Sequence, residues 1–424
     1  MIWPPWLRWG LVVVAVVALC APSAGQPVRD AVLAAENGLA NRTQLAADCQ
    51  PLAANDAVHQ RWVLGENAMN GLSNQLFGIY SYAPVAMLWG VNLVVGDVYS
   101  RSSFEVKVKK YEGWLEAPFS AFFDWQHFQR FWLERGLVTA QAADFHESCA
   151  GRMPAVEVLR VPHFYCQKDA VIMKMLTSTG LQHPIANHSL VLRFDSKRPK
   201  FTALYNFWKG GLRTKLLLLT VHRSLRPAPP LQAVASAMLA TLPVFVVAHV
   251  RLEADFLLYH KKDFNAELQT AIEAVRSHRC LLQHAPRDTA LYVASGLFNS
   301  SEASQQGQGQ QLLAALRGLG FRHIHTRQSL LSGILQGPSQ TQAQGQGQGE
   351  ALRETVRTLL PEQAAMVDLV VSRSAACFVP AHASSSFSYM AQRMRSLDNG
   401  QVLRYGDINE RNYGKSFKFK EWGV

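Results

Sequence analysis

No HExxH, no CxxC, no GxSxG elbow and no Asp-x-Asp pair of the sort that chelates a divalent ion around a nucleotide sugar occurs in the 424 residues. Those patterns place a metal or a nucleophile for hydrolysis, so metal-hydrolase and serine-hydrolase readings have no motif behind them. Charge is sparse: 17% of residues are Asp, Glu, Lys or Arg. The formal balance is nevertheless +11, which admits nucleic acid, an anionic membrane or a phosphate-bearing substrate as partner. Zinc-finger spacing, arginine-rich blocks and RNA-binding aromatic signatures are all missing, so nucleic acid is not the expected partner. His260, His323 and His325 are lone or strand-spaced and read as structural. No metal site is expected.

With 48% hydrophobic residues the chain is globular and long enough for two domains, each with its own core. Arg8, the apolar run Leu11 to Ala21 and the small-residue stretch Pro22 to Gly25 have the order of a secretory signal peptide or signal anchor over residues 1–25. An uncleaved anchor would be the only contact with a membrane. Lumenal residence, in the Golgi or endoplasmic reticulum or after secretion, is therefore expected. Sequons at Asn41, Asn187 and Asn299 fit that compartment. Beyond Cys20 there remain Cys49, Cys149, Cys166, Cys280 and Cys377, an odd number where disulfides form. Cys149 with Cys166 is the preferred bridge, and Cys377, inside the apolar ACFVP, reads as a buried free thiol.

The organising stretch is Phe245 to Asp255, FVVAHVRLEAD. On an extended strand His249 and Arg251 fall on one side and Val250 on the other. Ligands of open α/β sheets sit beyond the carboxyl ends of the strands, where an Arg offers a fork of donors to two phosphate oxygens. The rival reading is an Arg251 that only pairs with Glu253 or Asp255.

Upstream, Asn70 and Gly71 make a turn, Ser73 and Asn74 are capable helix caps, and Leu76, Ile79, Tyr80 and Ala83 continue at helical spacing until Pro84, expected to break or kink the helix. A strand over Val91 to Val95 follows. The aromatics from Trp114 to Trp132 read as a packing cluster or, alternatively, a sugar-stacking surface. Another strand is expected over Ser189 to Phe194. Pro227 to Pro230 marks the boundary between a domain over 26–230 and a second over 231–424. In the second, helices and strands alternate as in a parallel sheet with covering helices: Phe264 to Arg276, Ala290 to Ala294, Gln310 to Leu319 and Phe321 to Thr326. Gln/Gly-rich tracts at 305–310 and 336–349 read as flexible insertions. Near the end, Ser384, Ser385 and Ser386 precede a helix from Phe387 to Arg395, where they would cap free N–H groups or, with them, bind a diphosphate.

Taken in order, NGLSNQLFGIYSYAPVAMLWGVNLVV, then HVRLEAD, then TALYVASGLF and FRHIHTRQSLL, then MVDLVVSRSAACFVP and SSSFSYMAQRMR, the chain resembles the GDP-fucose protein O-fucosyltransferase family, especially its plant and algal branch. The likeness spans most of residues 60 to 400. It implies an α/β fold of the GT-B-like kind, two Rossmann-like domains with the donor in the cleft between them, and an inverting, metal-independent glycosyltransferase. Fucose would pass from GDP-fucose to an acceptor hydroxyl on a protein or glycan, with the donor as substrate and no cofactor. Arg251 would hold the β-phosphate and stabilise the departing diphosphate, His249 would fix the nucleotide, and Asp368 would recognise the base. Ser385, Ser386 and Phe387 match the Ser-Ser-Phe donor motif, while Gly71 and Asn74 belong to the turn that faces the sugar. Glu66, Glu253 and Asp255 are the candidate bases. The family's Gly-Gly is Asn70-Gly71 here, and its later Gly is replaced by Ala381-His382-Ala383. Another donor, such as UDP-rhamnose, and a non-catalytic nucleotide-sugar or glycan binder are the alternative functions.

Overall fold

The computed structural model describes residues 62–65, 67, 71–89, 92–103, 113–145, 156–160, 189–194, 212–278, 281, 288–336, 346–382 and 385–400, with 62–64, 81, 85, 88–89, 145, 156–160, 189–194, 212–215, 259–260, 346 and 348 as backbone. The leader, the Cys149–Cys166 pairing, Asn41, Asn187, Asn70 and Glu66 lie outside the described residues.

The first half begins with β1 (Trp62–Gly65), α1 (Leu72–Trp89), β2 (Asn92–Val95), β3 (Val98–Arg101) and β4 (Trp114–Ala117). It continues through α2 (Trp125–Leu133), β5 (Thr139–Gln141), α3 (Ala142–Phe145), β6 (Val156–Arg160), β7 (Ser189–Phe194) and α4 (Leu212–Ser224). Five of these strands form a parallel sheet in the order β5-β2-β1-β7-β6, while β3 and β4 make a separate antiparallel hairpin. After α5 (Pro229–Ala240) come β8 (Phe245–His249), α6 (Ala254–His260), α7 (Phe264–Ser277), β9 (Ala290–Ala294), α8 (Ala303–Gly318) and β10 (Ile324–Thr326). The remainder is α9 (Arg327–Gln336), α10 (Gln346–Thr358), α11 (Pro361–Ser374), β11 (Cys377–Pro380) and α12 (Ser386–Asp398). These strands form a second parallel sheet, β10-β9-β8-β11. Two parallel sheets with covering helices are the Rossmann-like pair expected of a GT-B-like α/β protein.

Alternation along β8 decides what each face of the second sheet buries. Phe245 and Val247 join a cluster with α1, α5, α11 and α12, while Val246, Ala248 and Val250 join a second cluster with α7, α8 and β9. The first cluster runs without interruption from Leu76 and Tyr80 to Val367, Val371, Met390 and Met394, so the two halves share apolar core. The crowded aromatics belong to it: Phe119, Phe122, Phe123, Phe128 and Trp132 are buried, and Phe119 stacks on Phe123 with ring centres 4.4 Å apart.

Polar contacts also cross between the halves. Tyr80 Oη lies 2.6 Å from His222 Nδ1, His222 Nε2 lies 2.8 Å from Asp398 Oδ1, and Arg373 Nε donates to Asp398 Oδ2 at 2.7 Å. Burial opposes the Asp398 charge, but hydrogen bonds from His222 and Arg373 prevail and its pKa falls far below the carboxylate range. Neutral His222 suits this chain, since one ring nitrogen must accept from Tyr80 while the other donates.

Several expectations need correction. Pro84 neither breaks nor ends α1, which continues to Trp89. Proline forfeits one backbone bond, and here Pro84 sits among the buried Ala83 and Ala86, so packing outweighs the loss. The helix begins at Leu72, which leaves Ser73 and Asn74 inside its first turn and Gly71 at the cap, its carbonyl accepting from Asn74 N–H at 2.9 Å. Residues 305–310 are not a flexible insertion but the opening turns of α8; Gln305 and Gly309 are buried, and a Cβ on Gly309 would come 3.2 Å from the Phe298 ring. Glutamine is a fair helix former, and glycine here permits close approach. The second tract contributes Gln346 to Gly349 to α10. Cys377 is disulfide-bonded, with a partner outside the described residues, so apolar surroundings misled the free-thiol reading.

Gly65, at the carboxyl end of β1, lies against α1, and a Cβ there would fall onto the buried Tyr82 ring. Gly65→Ala is expected to lower stability by ~1–3 kcal/mol through overpacking, read as a shift of the urea midpoint at unchanged slope. An unchanged midpoint would contradict this packing.

Candidate functional site at the facing carboxyl edges

Strand order in the second sheet reverses direction about β8, which has β9 on one side and β11 on the other. Chain segments leaving the carboxyl ends of β8 and β11 therefore flank a topological switch point, the usual place for ligands in such sheets. The first segment is Val250 to Glu253; after β11 the described residues are Ala381, His382 and Ser385, the last leading into α12.

His249 closes β8 with its ring stacked on Phe387, centroids 4.5 Å apart, and its Nδ1 lies 2.8 Å from Ser388 Oγ. Burial, with the positive charge of Arg251 and the neighbouring His382, pushes its pKa well below 6.5, so the ring is neutral. Ser385 occupies the cap position of α12 without a side-chain cap bond. The capping role expected of the serines is thus not taken by Ser385, whose N–H instead donates to the His382 carbonyl at 3.2 Å. The first N–H groups of α12, from Ser386 onward, have no carbonyl one turn earlier within the helix, and its dipole favours an anion there.

Arg251 follows with its side chain 35% exposed. Its Nη2 donates to Asp255 Oδ2 at 2.7 Å, and its Nε lies 3.8 Å from Glu253 Oε2. Both acids of the rival reading thus pair with it. Burial works against the guanidinium charge, but Asp255, Glu253 and Glu362 outweigh it and the pKa rises. Glu253 is committed further: its Oε1 accepts from the Gly296 N–H and lies 3.4 Å from Ser295 Oγ, tying the end of β9 to that of β8. A Cβ at 296 would meet the Glu253 carboxylate at 2.7 Å, so a larger residue there would displace that side chain.

His382, in the sequence only a departure from the family's glycine, braces the site. Its Nδ1 accepts from the Arg251 backbone N–H at 3.1 Å, its Nε2 lies 3.4 Å from Glu267 Oε2, and its ring meets Phe256 edge-on. An accepting Nδ1 fixes the neutral tautomer with the proton on Nε2. Burial lowers its pKa to about 4.

From the first half, the start of α1 brings Asn74, whose side-chain Oδ1 is buried with no hydrogen-bond partner among the described residues. Phe77, one turn on, lies 5.4 Å from the Tyr389 ring of α12, so the opening turns of α1 and α12 adjoin. Gly71 is exposed, with open space about its Cα. The structure therefore brings together His249, Arg251, Glu253, Asp255, Ser385, Ser386 and Phe387, and the helix whose start carries Gly71 and Asn74 adjoins α12 through Phe77 and Tyr389. Asp368 stands apart in the core, accepting from Tyr292 Oη and Arg327 Nη1, both at 2.5 Å. Burial raises its pKa, with Arg327 and Tyr292 pulling the other way.

Glu362 was also missed. This fully buried carboxylate at the start of α11 accepts from Arg101 Nε at 2.8 Å, Arg101 N–H at 2.7 Å and Ser100 Oγ at 2.8 Å. Only the sequence position of an acid one residue after a helix-opening proline hinted at it. Among the described residues no cluster of His, Cys, Asp or Glu could hold a metal ion, and no helix is long and apolar enough to cross a membrane.

His278 and His382 are neutral in the fold with pKa values of about 4, below the ordinary 6.5. For a histidine whose folded pKa is depressed, stability is complete above the unfolded value and falls as pH drops towards the folded one. Urea midpoints should be flat above pH ~6.5 and decline below it, with each residue costing on the order of 2 kcal/mol at pH 5. A profile that stays level down to pH 5 would contradict these neutral, buried assignments.

No protein-family model matches the chain, and no curated protein matches it in sequence. Among solved structures it is similar to fucosyltransferase NodZ from Bradyrhizobium, at 14% identity over 80% of this chain and 94% of that one, with a TM-score of 0.44. NodZ alpha-1,6-fucosyltransferase soaked with GDP-fucose is 15% identical over 78% of this chain and 92% of its own, with a TM-score of 0.43. POFUT1 in complex with GDP-fucose is 12% identical over 81% of this chain and 96% of its own, with a TM-score of 0.46.

Proposed function

We propose that the chain is an inverting glycosyltransferase of the secretory pathway that moves fucose from GDP-fucose to an acceptor hydroxyl on a protein or glycan, without a metal. The observation that carries this reading is the meeting of Arg251, neutral His249 and the start of α12 at the switch point of the second sheet. A guanidinium and a helix N-terminus together suit a diphosphate, and the order of the sequence motifs supplies the sugar nucleotide.

In this reading the acceptor oxygen bonds to the anomeric carbon as the bond from that carbon to the β-phosphate oxygen breaks. The electron pair leaves with the diphosphate, where Arg251 meets the new charge, and the acceptor hydroxyl gives up its proton to water. Donor binding would draw Arg251 from Asp255 to phosphate. Asp255 shares the guanidinium and so sits on the leaving-group side, whereas a base for inversion must act from the opposite face of the sugar. Glu253 is held by Gly296 and Ser295. The geometry thus favours leaving-group stabilisation over base catalysis as the larger contribution. Asn74, with a buried carbonyl oxygen that has no hydrogen-bond partner among the described residues, is suited to a sugar hydroxyl.

One observation favours a second reading, a nucleotide-sugar or glycan binder without turnover: Arg251 is hydrogen-bonded to Asp255 at 2.7 Å and its Nε lies 3.8 Å from Glu253 Oε2, so both described candidate bases stand beside the guanidinium. Nucleotide release from GDP-fucose and from UDP-rhamnose, measured in EDTA with the chain from Gln26 onward, separates the readings. Wild type should release GDP, and Arg251→Ala should lose ~100- to 1,000-fold in kcat. Equal rates in the two proteins would remove Arg251 from catalysis, and binding without release would favour the binder.

A further inference from the structure

We propose that Arg101 is a second contact for the donor's diphosphate, facing Arg251 from the first half of the chain. The inference rests on the donor reading above and adds a residue that no motif selected.

Topology puts Arg101 at the right edge. β3 follows directly from the carboxyl end of β2, so its residues lie where the first sheet opens towards ligands. Gln75, next to Asn74 in the first turn of α1, clamps this segment: its Nε2 donates to the Tyr99 carbonyl at 2.6 Å and its Oε1 accepts from Tyr99 N–H at 2.8 Å. Arg101 is two residues further on. In the second half α11 leads into β11 and therefore starts at the carboxyl edge of that sheet, which is where Glu362 sits. Arg101 reaches across the gap to it. Glu362 is also among the charges that act on Arg251, so both arginines lie within its field.

The hydrogen bonds leave a specific part of Arg101 unspent. Glu362 Oε1 takes Nε, while Oε2 takes the Arg101 backbone N–H and the Ser100 hydroxyl. Nη1 and Nη2 make no hydrogen bond or ion pair among the described residues, and the side chain is 35% exposed. A guanidinium held through Nε by a buried carboxylate has a fixed plane, and its outer N–H groups form a fork of the width of two phosphate oxygens. Surface arginines lack that restraint. Glu362 is 1% exposed, so the anchoring end of the pair is dry while the outer end remains accessible.

Isothermal titration with the nucleoside diphosphate that wild type binds, GDP or UDP, and with its monophosphate tests this. Arg101→Ala should weaken the diphosphate ~10- to 100-fold and the monophosphate much less, so the ratio between them falls. Because Arg101→Ala leaves Glu362 buried without its cation, Arg101→Lys and the double variant Arg101→Ala with Glu362→Gln accompany it. Each should keep a cooperative thermal transition and show the same fall in ratio. An unchanged ratio in a folded variant overturns the role of Arg101 while the donor site stands. Wild type that binds neither GDP nor UDP overturns the inference together with the donor reading.

Discussion

Glu362 has no contact with water, so its charge must be balanced inside the protein, and what balances it comes from the other half of the chain. Arg101 and Ser100 supply three hydrogen bonds to one carboxylate. Breaking a buried pair by removing one partner typically costs several kcal/mol, so the two halves are held where these residues meet. Since β3 and the start of α11 both lie at carboxyl edges, this one requirement sets the two carboxyl edges against each other. The Tyr80–His222–Asp398–Arg373 chain and the shared apolar core act in the same direction further from the gap.

Within that gap the chemistry is arranged by neutral histidines. His249 and His382 both lie beside Arg251, and both lose their charge to burial. Had either been charged, it would repel the guanidinium at close range. As neutral rings they can instead position: His382 accepts from the Arg251 backbone, and His249 links β8 to α12 through Ser388 and Phe387. The positive charge at these edges is thereby concentrated in Arg251 and Arg101, each paired with an acid.

Much of this was legible along the chain wherever the signal was local. The period-two pattern of FVVAHV placed Val250 in one core cluster and turned His249 towards the other helix layer, as an extended strand requires. Strands at Ala290–Ala294 and Ser189–Phe194 appear with the expected bounds. Failures came where tertiary packing overrode local preference, as with Pro84 inside α1 and Gln305 to Gln310 in α8. Glu362 and His382 were invisible for a different reason. Their partners stand 261 residues away for Arg101 and 131 away for Arg251, and no local pattern encodes such a pairing.

If the two facing carboxyl edges form one diphosphate site centred on Arg251, a crystal structure of the chain with GDP-fucose will place the β-phosphate within hydrogen-bond reach of Arg251 and the start of α12, with Arg251 turned away from Asp255. Nucleotide bound elsewhere, with Arg251 still on Asp255, would contradict it.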